Sequence, residues 1–281
     1  MKKDFYKLGI IGYPLSHSIS PTIQLAGLQS VGLNGSYEKF EIPKENLENQ
    51  INFFKENDFT GFNITIPHKI EILNYLNKID KTALKIGAVN TVKIEKDGTL
   101  SGYNTDIYGF VQAIPKTNKQ FSNARILGCG GAALAVIFGL EELGVKTLTI
   151  CARDTKKAEK FVSEIKEKTH INFVIENIEN QSSLSKTDIL VNATPLGTKG
   201  ENENLMAISK EILLTAKKDL LVYDLVYNPQ ETILLKEAKQ LNIETINGLD
   251  MLILQGAKAF QIWTEKNPDI EKMKKNALQI L

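Results

Sequence analysis

Lys69 closes a β-rich stretch that begins at Gly61 and carries polar side chains on one face. Asn63, Thr65 and Pro67 share that face, and the proline forces the chain out of the predicted strand. The lysine then projects from the strand end or from the first turn of the next helix. A lysine held in a cleft, partly desolvated, donates or accepts a proton near neutral pH. Solvation is the alternative for any lysine in so lysine-rich a chain.

Two further segments end strands in amide, hydroxyl and carboxylate groups, Gly87–Thr91 with Asn90 and Gly102–Asp106. Asp106 lies where the chain passes into a second domain, so we expect it in the domain cleft. The alternative is that Asp106 only caps the helix that follows it.

Ser18 and Ser20 lie two residues apart, just before Pro21 and at the start of a predicted helix. Their hydroxyls and the unpaired N–H groups of the first turn predict a cradle for a small anion such as a carboxylate. In the alternative interpretation Ser20 is a plain N-cap, with proline at the first helical position, and Ser18 is solvated.

A glycine-rich segment, Gly128 to Ala133, follows one predicted strand and opens a helix. Glycines in this context permit a tight turn and the approach of a pyrophosphate to the N–H groups of a helix N-terminus. The alternative is an ordinary glycine turn of an α/β protein. The residues that form this predicted dinucleotide site are Gly128, Cys129, Gly130, Gly131 and Ala132.

The next strand ends at a position that selects between the two nicotinamide dinucleotides. A carboxylate there binds the ribose 2′-hydroxyl of NAD, whereas a guanidinium clasps the 2′-phosphate of NADP. Arg153 is one of only two arginines in 281 residues, so we favour NADP, with NAD as a secondary cofactor. If Asp154 N-caps the next helix, Arg153 and a neighbouring lysine hold the phosphate. The segment assigned to this site is Ala152, Arg153, Asp154, Thr155, Lys156 and Lys157.

The elements that carry these residues fall into two α/β patterns. In the first hundred residues, apolar and alternating runs predict strands at Tyr6–Gly12, Ser36–Ile42, Thr60–Ile66 and Ala88–Ile94, with helices at 20–31 and 43–56. From Asn123 onward the predicted strands are Ala124–Leu127, Lys146–Cys151, Asn172–Ile175, Asp188–Val191, Leu220–Asp224 and Glu244–Ile246.

Helical stretches separate most of the six later strands, notably Ala132–Leu143, Thr155–Lys168 and Gln230–Gln240, which predicts a doubly wound Rossmann-type parallel sheet. Two helices follow, at Leu249–Trp263 and from Asp269 to the end. We therefore expect an α/β protein with a substrate-binding domain at residues 1–106 and a dinucleotide domain at 107–246. Residues 247–281 are expected to return to the first domain.

Composition excludes several classes of partner. The chain has 34 Lys and Arg against 33 Asp and Glu, a net charge of +1, which gives no attraction to nucleic acid or to anionic lipid. Cys129 and Cys151 form no disulfide framework and are expected to be reduced and buried, as in a cytoplasmic protein. No run has the length of a membrane span or of a signal peptide. His68 is expected to be structural or at the surface, since no metal-ligand spacing surrounds it.

Seven blocks, in order, resemble the shikimate dehydrogenase family across nearly the whole chain. They are HSxSP at 17–21, NxTxPxK at 63–69, GAVNT at 87–91, GxNTD at 102–106, GxGGAA at 128–133, NATPxG at 192–197, and the pair YNPxxT at 227–232 and QGAxAF at 255–260. The resemblance implies reversible NADP-dependent reduction of 3-dehydroshikimate to shikimate, a step toward chorismate and the aromatic amino acids.

The resemblance also implies roles for individual residues. Lys69 and Asp106 correspond to the catalytic pair, and Ser18 and Ser20, assisted by Tyr227, to the groups that bind the substrate carboxylate. The residues implied to contact the ring hydroxyls and the reacting carbonyl are Thr65, Lys69, Asn90, Asp106 and Gln255. Those implied to lie near the nicotinamide are Thr194, Leu225 and Gly248.

The chain departs from the family pattern at one position: Ala152-Arg153-Asp154 stands where many members read Asn-Arg-Thr. An acidic residue there fits a relative that uses NAD, or both cofactors, on quinate and shikimate. A third hypothesis is a ligand-sensing protein that kept the fold without catalysis. Monomer and homodimer stay open, as does the direction of flux in the cell.

Overall fold

The computed structural model describes residues 5–116 and 119–281 and divides into two compact units. The first unit runs to Gly109 and resumes at Leu252–Ile280, and the second is Phe110–Met251. In the described ranges no helix has the length and apolar content needed to cross a membrane.

The strands and helices are labelled in chain order. The strands are β1 (Tyr6–Gly12), β2 (Gly35–Glu41), β3 (Gly61–Ile64), β4 (Lys78–Ile79), β5 (Thr91–Ile94), β6 (Leu100–Tyr103), β7 (Asn123–Leu127), β8 (Thr147–Ala152), β9 (Asn172–Asn177), β10 (Ile189–Asn192), β11 (Leu221–Asp224) and β12 (Glu244–Ile246). The helices are α1 (Ser20–Ser30), α2 (Leu47–Glu56), α3 (Lys81–Ile86), α4 (Asp106–Ala113), α5 (Gly131–Glu142), α6 (Thr155–Ile165), α7 (Lys210–Leu213), α8 (Ile233–Gln240), α9 (Gly248–Thr264) and α10 (Ile270–Leu278). Short 3₁₀ helices cover Lys44–Asn46, Glu71–Tyr75 and Lys166–Lys168.

The sheet of the first unit is mixed, with strand order β2-β1-β3-β5-β6-β4. β1 pairs in parallel with β2 and β3, whereas β5 pairs antiparallel with β3 and β6. The hairpin β5–β6 turns at Gly98, which adopts a φ of +78° that glycine tolerates best. The carboxyl ends of β1 and β3 and the start of β5 therefore lie side by side.

Each face of this sheet packs against a helix. On one face, Leu47, Ile51 and Phe54 recur at helical spacing in α2 and are buried together with Phe62 of β3. On the other face, Leu8 and Ile10 of β1 join a cluster with Trp263 of α9, while Ile11 belongs to the α2 side. This alternation is the period of two expected of a strand covered on both faces.

Trp263 fixes α9 against the sheet. Its indole Nε1 donates to the backbone oxygen of Val92 at 2.9 Å, and a Cβ at Gly61 would overlap the indole ring. The Gln24 amide of α1 also donates to the backbone oxygen of Gly256, at 2.9 Å. α9 is thus part of the first unit's core, and α10, with Met273 and Ala277 buried, belongs to the same unit.

The second unit contains a parallel sheet of six strands in the order β12-β11-β10-β7-β8-β9. The order reverses between β7 and β10, which is the doubly wound Rossmann arrangement. Ala133, Val136 and Ala158 of α5 and α6 pack in one apolar cluster, and Leu213 and Leu234 of α7 and α8 in another. The predicted fold class is confirmed.

Several sequence expectations need correction. β3 ends at Ile64, two residues before the predicted limit, so Thr65 and Pro67 lie in the following turn and only Asn63 belongs to the strand. Both cysteines are free, but Cys129 is only half-buried because it lies in the glycine-rich loop. Burial raises the pKa of Cys151 to about 12, which keeps its thiol protonated.

Candidate active site

Lys69 and Asp106 form an ion pair in the first unit. The lysine Nζ lies 2.7 Å from Asp106 Oδ2, and the other carboxylate oxygen, Oδ1, accepts a hydrogen bond from Asn90 Nδ2 at 2.8 Å. Lys69 comes from the turn after β3, Asn90 directly precedes β5, and Asp106 is the first residue of α4. The fold thus brings together three residues that the sequence singled out.

Asp106 does not serve as a simple helix cap. Both carboxylate oxygens accept from side chains, those of Lys69 and Asn90, and the backbone N–H of Asp106 donates to Asn104 Oδ1 at 3.0 Å. The side chain also lies in the first turn of α4, at the positive end of the helix dipole.

Buried neighbours hold the Asn90 amide in one orientation. Its Oδ1 accepts from the Thr105 backbone N–H at 2.8 Å and from Thr91 Oγ1 at 3.0 Å, and its Nδ2 donates to Thr105 Oγ1 at 3.0 Å. Donors on one side and acceptors on the other fix the amide, so that Nδ2 points at Asp106.

Ser18 and Ser20 lie together at the start of α1. Ile19 occupies the N-cap position without a side-chain cap, and Ser20 is the first helical residue, so the interpretation of Ser20 as the N-cap is wrong. Ser18 Oγ donates to Ser20 Oγ at 3.2 Å, and the backbone N–H of Ser20 donates to Ser18 Oγ at 3.4 Å. Pro21 consequently takes the second helical position.

Tyr37 and Asn63 extend the hydrogen bonds around Asn90 into the core of the sheet. The Tyr37 hydroxyl donates to Asn63 Oδ1 at 2.7 Å, and Asn63 Nδ2 donates to Thr91 Oγ1 at 3.0 Å and to the backbone oxygen of Asn90 at 3.1 Å. Burial raises the pKa of Tyr37 far above its usual range, so the phenol stays protonated.

The sequence reasoning did not select Tyr37 as a site residue. The available signal was a hydroxyl-bearing side chain at a buried position of an alternating strand.

The remaining substrate candidates are divided between the two units. Gln255 Oε1 accepts from Thr105 Oγ1 at 3.4 Å, and the half-buried Thr65 follows β3 directly, its backbone N–H donating to Ile11 O at 2.9 Å. Tyr227 belongs to the second unit, where burial raises the pKa of its hydroxyl. His68 is fully buried, with Nε2 3.0 Å from the Ile42 backbone oxygen. It is therefore structural, as expected.

The glycine-rich loop opens α5 in the second unit. Gly128 has a φ of +95°, and a Cβ there would lie 2.8 Å from Thr194 Cγ2. Gly130 is the N-cap, and Gly130, Gly131 and Ala132 are exposed. A Cβ at Gly130 would meet no atom within 4 Å. The first turn of α5 therefore offers free space in front of its unpaired N–H groups, which suits an approaching phosphate.

The cofactor-selecting segment follows β8. Ala152 ends the strand and is buried, whereas Arg153, Asp154, Lys156 and Lys157 are exposed. Asp154 is the N-cap of α6, and its Oδ1 accepts from the Lys157 backbone N–H at 3.0 Å. The predicted cap is confirmed. This cap engages one oxygen of the Asp154 carboxylate. A carboxylate at this position that is free of such a contact would favour the ribose 2′-hydroxyl of NAD.

Among the described residues, no cluster of histidine, cysteine and acidic side chains has the geometry of a metal site.

Comparisons with known proteins agree with this geometry. Residues 10–92 match the family model for the shikimate dehydrogenase substrate binding domain, and residues 248–278 match the shikimate 5′-dehydrogenase C-terminal domain. The chain is 45% identical over 272 residues to the NADP(+) shikimate dehydrogenase of Methanocaldococcus jannaschii, an alignment that covers 95% of this chain and 94% of that protein. The chain belongs to the shikimate dehydrogenase family.

Solved structures show the same relationship. A shikimate dehydrogenase in complex with NADP+ has a TM-score of 0.89 and 42% identity, over 100% of this chain and 97% of that one. The quinate dehydrogenase of Corynebacterium glutamicum, in complex with NAD, also reaches a TM-score of 0.89, with 30% identity over 99% of this chain and 100% of that one. A shikimate dehydrogenase in complex with NADP+ and a quinate dehydrogenase in complex with NAD therefore share this fold.

The NATPxG block that resembles the shikimate dehydrogenase family is anchored by a buried acid that sequence reasoning missed. Asp224, at the end of β11 and fully buried, accepts from Asn192 Nδ2 at 2.8 Å and from Thr232 Oγ1 at 2.6 Å. Asn192 Oδ1 in turn accepts from Thr194 Oγ1 at 2.7 Å. Burial raises the pKa of Asp224 although these donors oppose the shift.

Two positions that the family resemblance assigned to the nicotinamide lie close to this acid. Leu225 follows Asp224 directly, and a Cβ at Gly248 would overlap the Leu225 backbone. Glycine at 248 is thus required by this approach. The sequence did carry a signal for Asp224. It is an acidic residue that ends an apolar run, and such a run predicts a strand whose carboxyl end lies at the ligand-binding edge of a parallel sheet.

Proposed function

We propose that this chain catalyses the reversible NADPH-dependent reduction of 3-dehydroshikimate to shikimate in the cytoplasm. The observation that carries the proposal is the Lys69–Asp106 ion pair, bracketed by Asn90, in a chain 45% identical to the Methanocaldococcus jannaschii NADP(+) shikimate dehydrogenase. A net charge of only +1 and a site of polar side chains support a small polar substrate over a polyanionic polymer.

The substrate carboxylate binds Ser18 and Ser20, with Tyr227 assisting. Ser20 in the first turn of an 11-residue helix and Ser18 just before it present hydroxyls where the helix dipole is positive, which favours an anion. Thr65, Asn90 and Gln255 bind the ring hydroxyls. Hydroxyl and amide groups suit these partners because each both donates and accepts.

Lys69 is the proton donor. As the carbonyl is reduced, negative charge develops on its oxygen, and an ammonium beside that oxygen stabilises the charge and then transfers a proton to it. In the reverse direction the neutral amine accepts the proton from the substrate hydroxyl. Asp106 holds the lysine Nζ and binds a neighbouring hydroxyl, so that the ammonium does not rotate away from the reacting oxygen.

The residues of the second unit fit a phosphorylated dinucleotide. The exposed first turn of α5 and the open space at Gly130 accommodate a pyrophosphate at Gly128, Cys129, Gly130, Gly131 and Ala132. Arg153, with Lys156 or Lys157 nearby in sequence, binds the 2′-phosphate, and Ala152, Asp154 and Thr155 shape that end of the site. Thr194, Leu225 and Gly248 border the nicotinamide. NADP, when bound, accepts a hydride from the alcohol or, as NADPH, supplies one to the ketone.

Steady-state kinetics with two substrates and two cofactors test the function. We expect the highest kcat/KM with shikimate and NADP. Absence of shikimate oxidation with either cofactor would refute the proposal. Calorimetry that shows shikimate binding without turnover would instead indicate a sensing protein.

A second candidate is a quinate/shikimate dehydrogenase that prefers NAD. The observations in its favour are Asp154 beside Arg153 and the 30% identity to a quinate dehydrogenase in complex with NAD. The Asp154 cap on α6 argues against it, because the capping oxygen accepts a backbone N–H. Comparable efficiency with NAD, or appreciable quinate oxidation, would establish this alternative.

A further inference from the structure

Asp224 is a buried acid to which the proposed proton transfer assigns no role. Its side chain is fully buried at the end of β11, and three donors converge on its carboxylate. Oδ1 accepts from Asn192 Nδ2 at 2.8 Å and from the Val226 backbone N–H at 3.0 Å. Oδ2 accepts from Thr232 Oγ1 at 2.6 Å. The two oxygens therefore hold different segments of the second unit.

The Oδ1 side of the carboxylate reaches Thr194 through the Asn192 amide. Because Oδ1 already accepts from the Val226 N–H, Asn192 must face it with Nδ2 and turn its own oxygen away. That oxygen accepts from both the backbone N–H and the hydroxyl of Thr194, at 3.1 and 2.7 Å. Thr194 Oγ1 accepts in turn from the Leu196 N–H at 3.2 Å. A flipped Asn192 would face the carboxylate with an oxygen and lose its hold on Thr194.

The same carboxylate oxygen fixes the backbone around Leu225 and Gly248. Leu225 lies between Asp224 and Val226, and its N–H donates to the Asn192 backbone oxygen at 3.0 Å. The backbone oxygen of Val226 accepts from the Gly248 N–H at 3.1 Å. The three residues that we propose to border the nicotinamide, Thr194, Leu225 and Gly248, are therefore all tied to Asp224 Oδ1.

The Oδ2 side of the carboxylate supports a helix cap. Thr232 is the N-cap of α8, and its Oγ1 accepts from the Leu235 backbone N–H at 3.3 Å while it donates to Oδ2. One oxygen of Asp224 is thus linked to the proposed nicotinamide residues and the other to the start of α8. Mutations on either side can therefore separate the two roles.

We propose that Asp224 is a positioning residue that holds Thr194, Leu225 and Gly248 in place for the nicotinamide half of the cofactor. This inference rests on the proposed function and assigns no contact between Asp224 and the dinucleotide. It predicts that the Asp224 carboxylate supports binding of the nicotinamide half and leaves the adenosine half, whose 2′-phosphate is assigned to Arg153, unaffected.

The affinities of the protein without substrate for NADPH and for adenosine 2′-monophosphate test the proposal. The monophosphate carries the 2′-phosphate but neither the pyrophosphate nor the nicotinamide. Asp224→Leu keeps a side chain of similar size and removes both acceptors. We expect it to raise the Kd for NADPH about tenfold, the effect of losing one or two hydrogen bonds. The Kd for the monophosphate, measured by calorimetry, should stay unchanged.

Asp224→Asn should restore most of the affinity for NADPH. In one orientation its amide oxygen takes the place of Oδ1 and accepts from Asn192 and Val226, while its NH₂ group donates to Thr232 Oγ1. Thr232→Val is the matched control, because it removes the donor on Oδ2 and keeps the Oδ1 side. It should lower the temperature of thermal unfolding, as the loss of an N-cap does, and leave both Kd values unchanged.

Three outcomes would overturn the proposal. They are an equal change, or no change, in the two Kd values of Asp224→Leu; an Asp224→Asn protein that binds NADPH as weakly as Asp224→Leu; and a Thr232→Val protein that does so. If Asp224→Leu does not fold, Thr194→Val decides, because it removes the hydroxyl that Asn192 holds and Thr194 is only half-buried. A raised Kd for NADPH alone then supports the proposal, and wild-type values for both ligands refute it.

The wild type separates this proposal from the proposed function. Because cofactor binding is measured without substrate, a wild type that binds NADPH and oxidises no shikimate refutes the function and leaves the test of Asp224 in place. If the wild type oxidises shikimate while Asp224→Leu behaves like Thr232→Val, only the role of Asp224 fails.

Discussion

The Lys69 ammonium lies 2.7 Å from the Asp106 carboxylate, although 37 residues of sequence separate them. The pair is partly exposed, with side-chain exposures of 24% and 17%. Complete burial would penalise both charges, and full exposure would leave the lysine mobile. The intermediate position keeps the ammonium oriented and still within reach of a ligand.

Loss of the Lys69 amine should reduce turnover. We expect Lys69→Ala to lower kcat for shikimate oxidation by about two orders of magnitude or more, the scale of a positioned proton-transfer group. Lys55→Ala, at an exposed position of α2, is the control and should retain wild-type kcat. Near-normal turnover of Lys69→Ala would refute the role assigned to Lys69.

Arg153 should determine the cofactor preference. We expect Arg153→Ala to raise the KM for NADP about 10- to 100-fold, the loss of a charge-assisted hydrogen bond to phosphate, and to leave the KM for NAD almost unchanged. Initial rates with both cofactors give the comparison. Lys160→Ala, an exposed cation further along α6, should change neither value. Equal effects on NADP and NAD would mean that Arg153 does not read the 2′-phosphate.

Substitution of the two loop glycines, Gly128 and Gly130, should affect different properties of the protein. Gly130→Ala introduces a methyl group into open space at φ −86°, so thermal unfolding should not change. The KM for NADP should rise about tenfold, because the methyl group occupies the place of the phosphate at the helix N-terminus.

Gly128→Ala should instead lower the free energy of unfolding by about 1 kcal/mol or more, since φ is +95° and the methyl group meets Thr194. A Gly130→Ala protein with wild-type affinity for NADP would exclude this loop as the phosphate site.

Asp188 should make stability depend on pH in the acid range. Desolvation opposes its ionisation, but the Lys217 ammonium and the backbone N–H groups of Ser122 and Asn123 together lower its pKa. Because the pKa of Asp188 is lower in the folded than in the unfolded protein, its ionised carboxylate stabilises the fold at pH values above the unfolded-state pKa of about 4. This stabilisation is lost as the pH falls through the folded-state pKa.

The Asp188 contribution is measured by denaturation of Asp188→Asn across pH. We expect this variant to lose about 1.5–3 kcal/mol at pH 7, and the difference from the wild type should narrow below about pH 4. Asp219→Asn, which removes a more exposed partner of the same Lys217, should lose much less stability at pH 7. A gap between wild type and Asp188→Asn that stays constant down to pH 3 would contradict this account.

Sequence periodicity predicted the second unit closely. The six parallel strands alternate with turns and helices in a strict order, so that the boundaries of β7 and β8 differ from the predictions by a single residue. Capping chemistry was equally local, as Asp154 at the start of α6 shows. Such features depend on neighbours in the chain, which the sequence displays directly.

The site network depended on contacts that the sequence does not display. Ser20 was interpreted as an N-cap because local statistics favour serine there, yet Ile19 occupies the cap position and Ser20 is already the first helical residue. Tyr37 and Asp224 gained their significance only when strands from distant parts of the chain came side by side. A buried polar residue in a strand acquires its partners from register, and register is a property of the folded sheet.

The first unit is discontinuous, and this has a consequence for the order of folding during synthesis. Residues 110–251 form a continuous unit, whereas the sheet that carries Lys69 and Asp106 needs α9, with Trp263 and Gln255, to be covered. The ribosome delivers the second unit whole before it releases the helix that completes the first. Domains fold as units while the chain emerges. The N-terminal segment is synthesised first, yet the unit to which it belongs is the last to complete its folding.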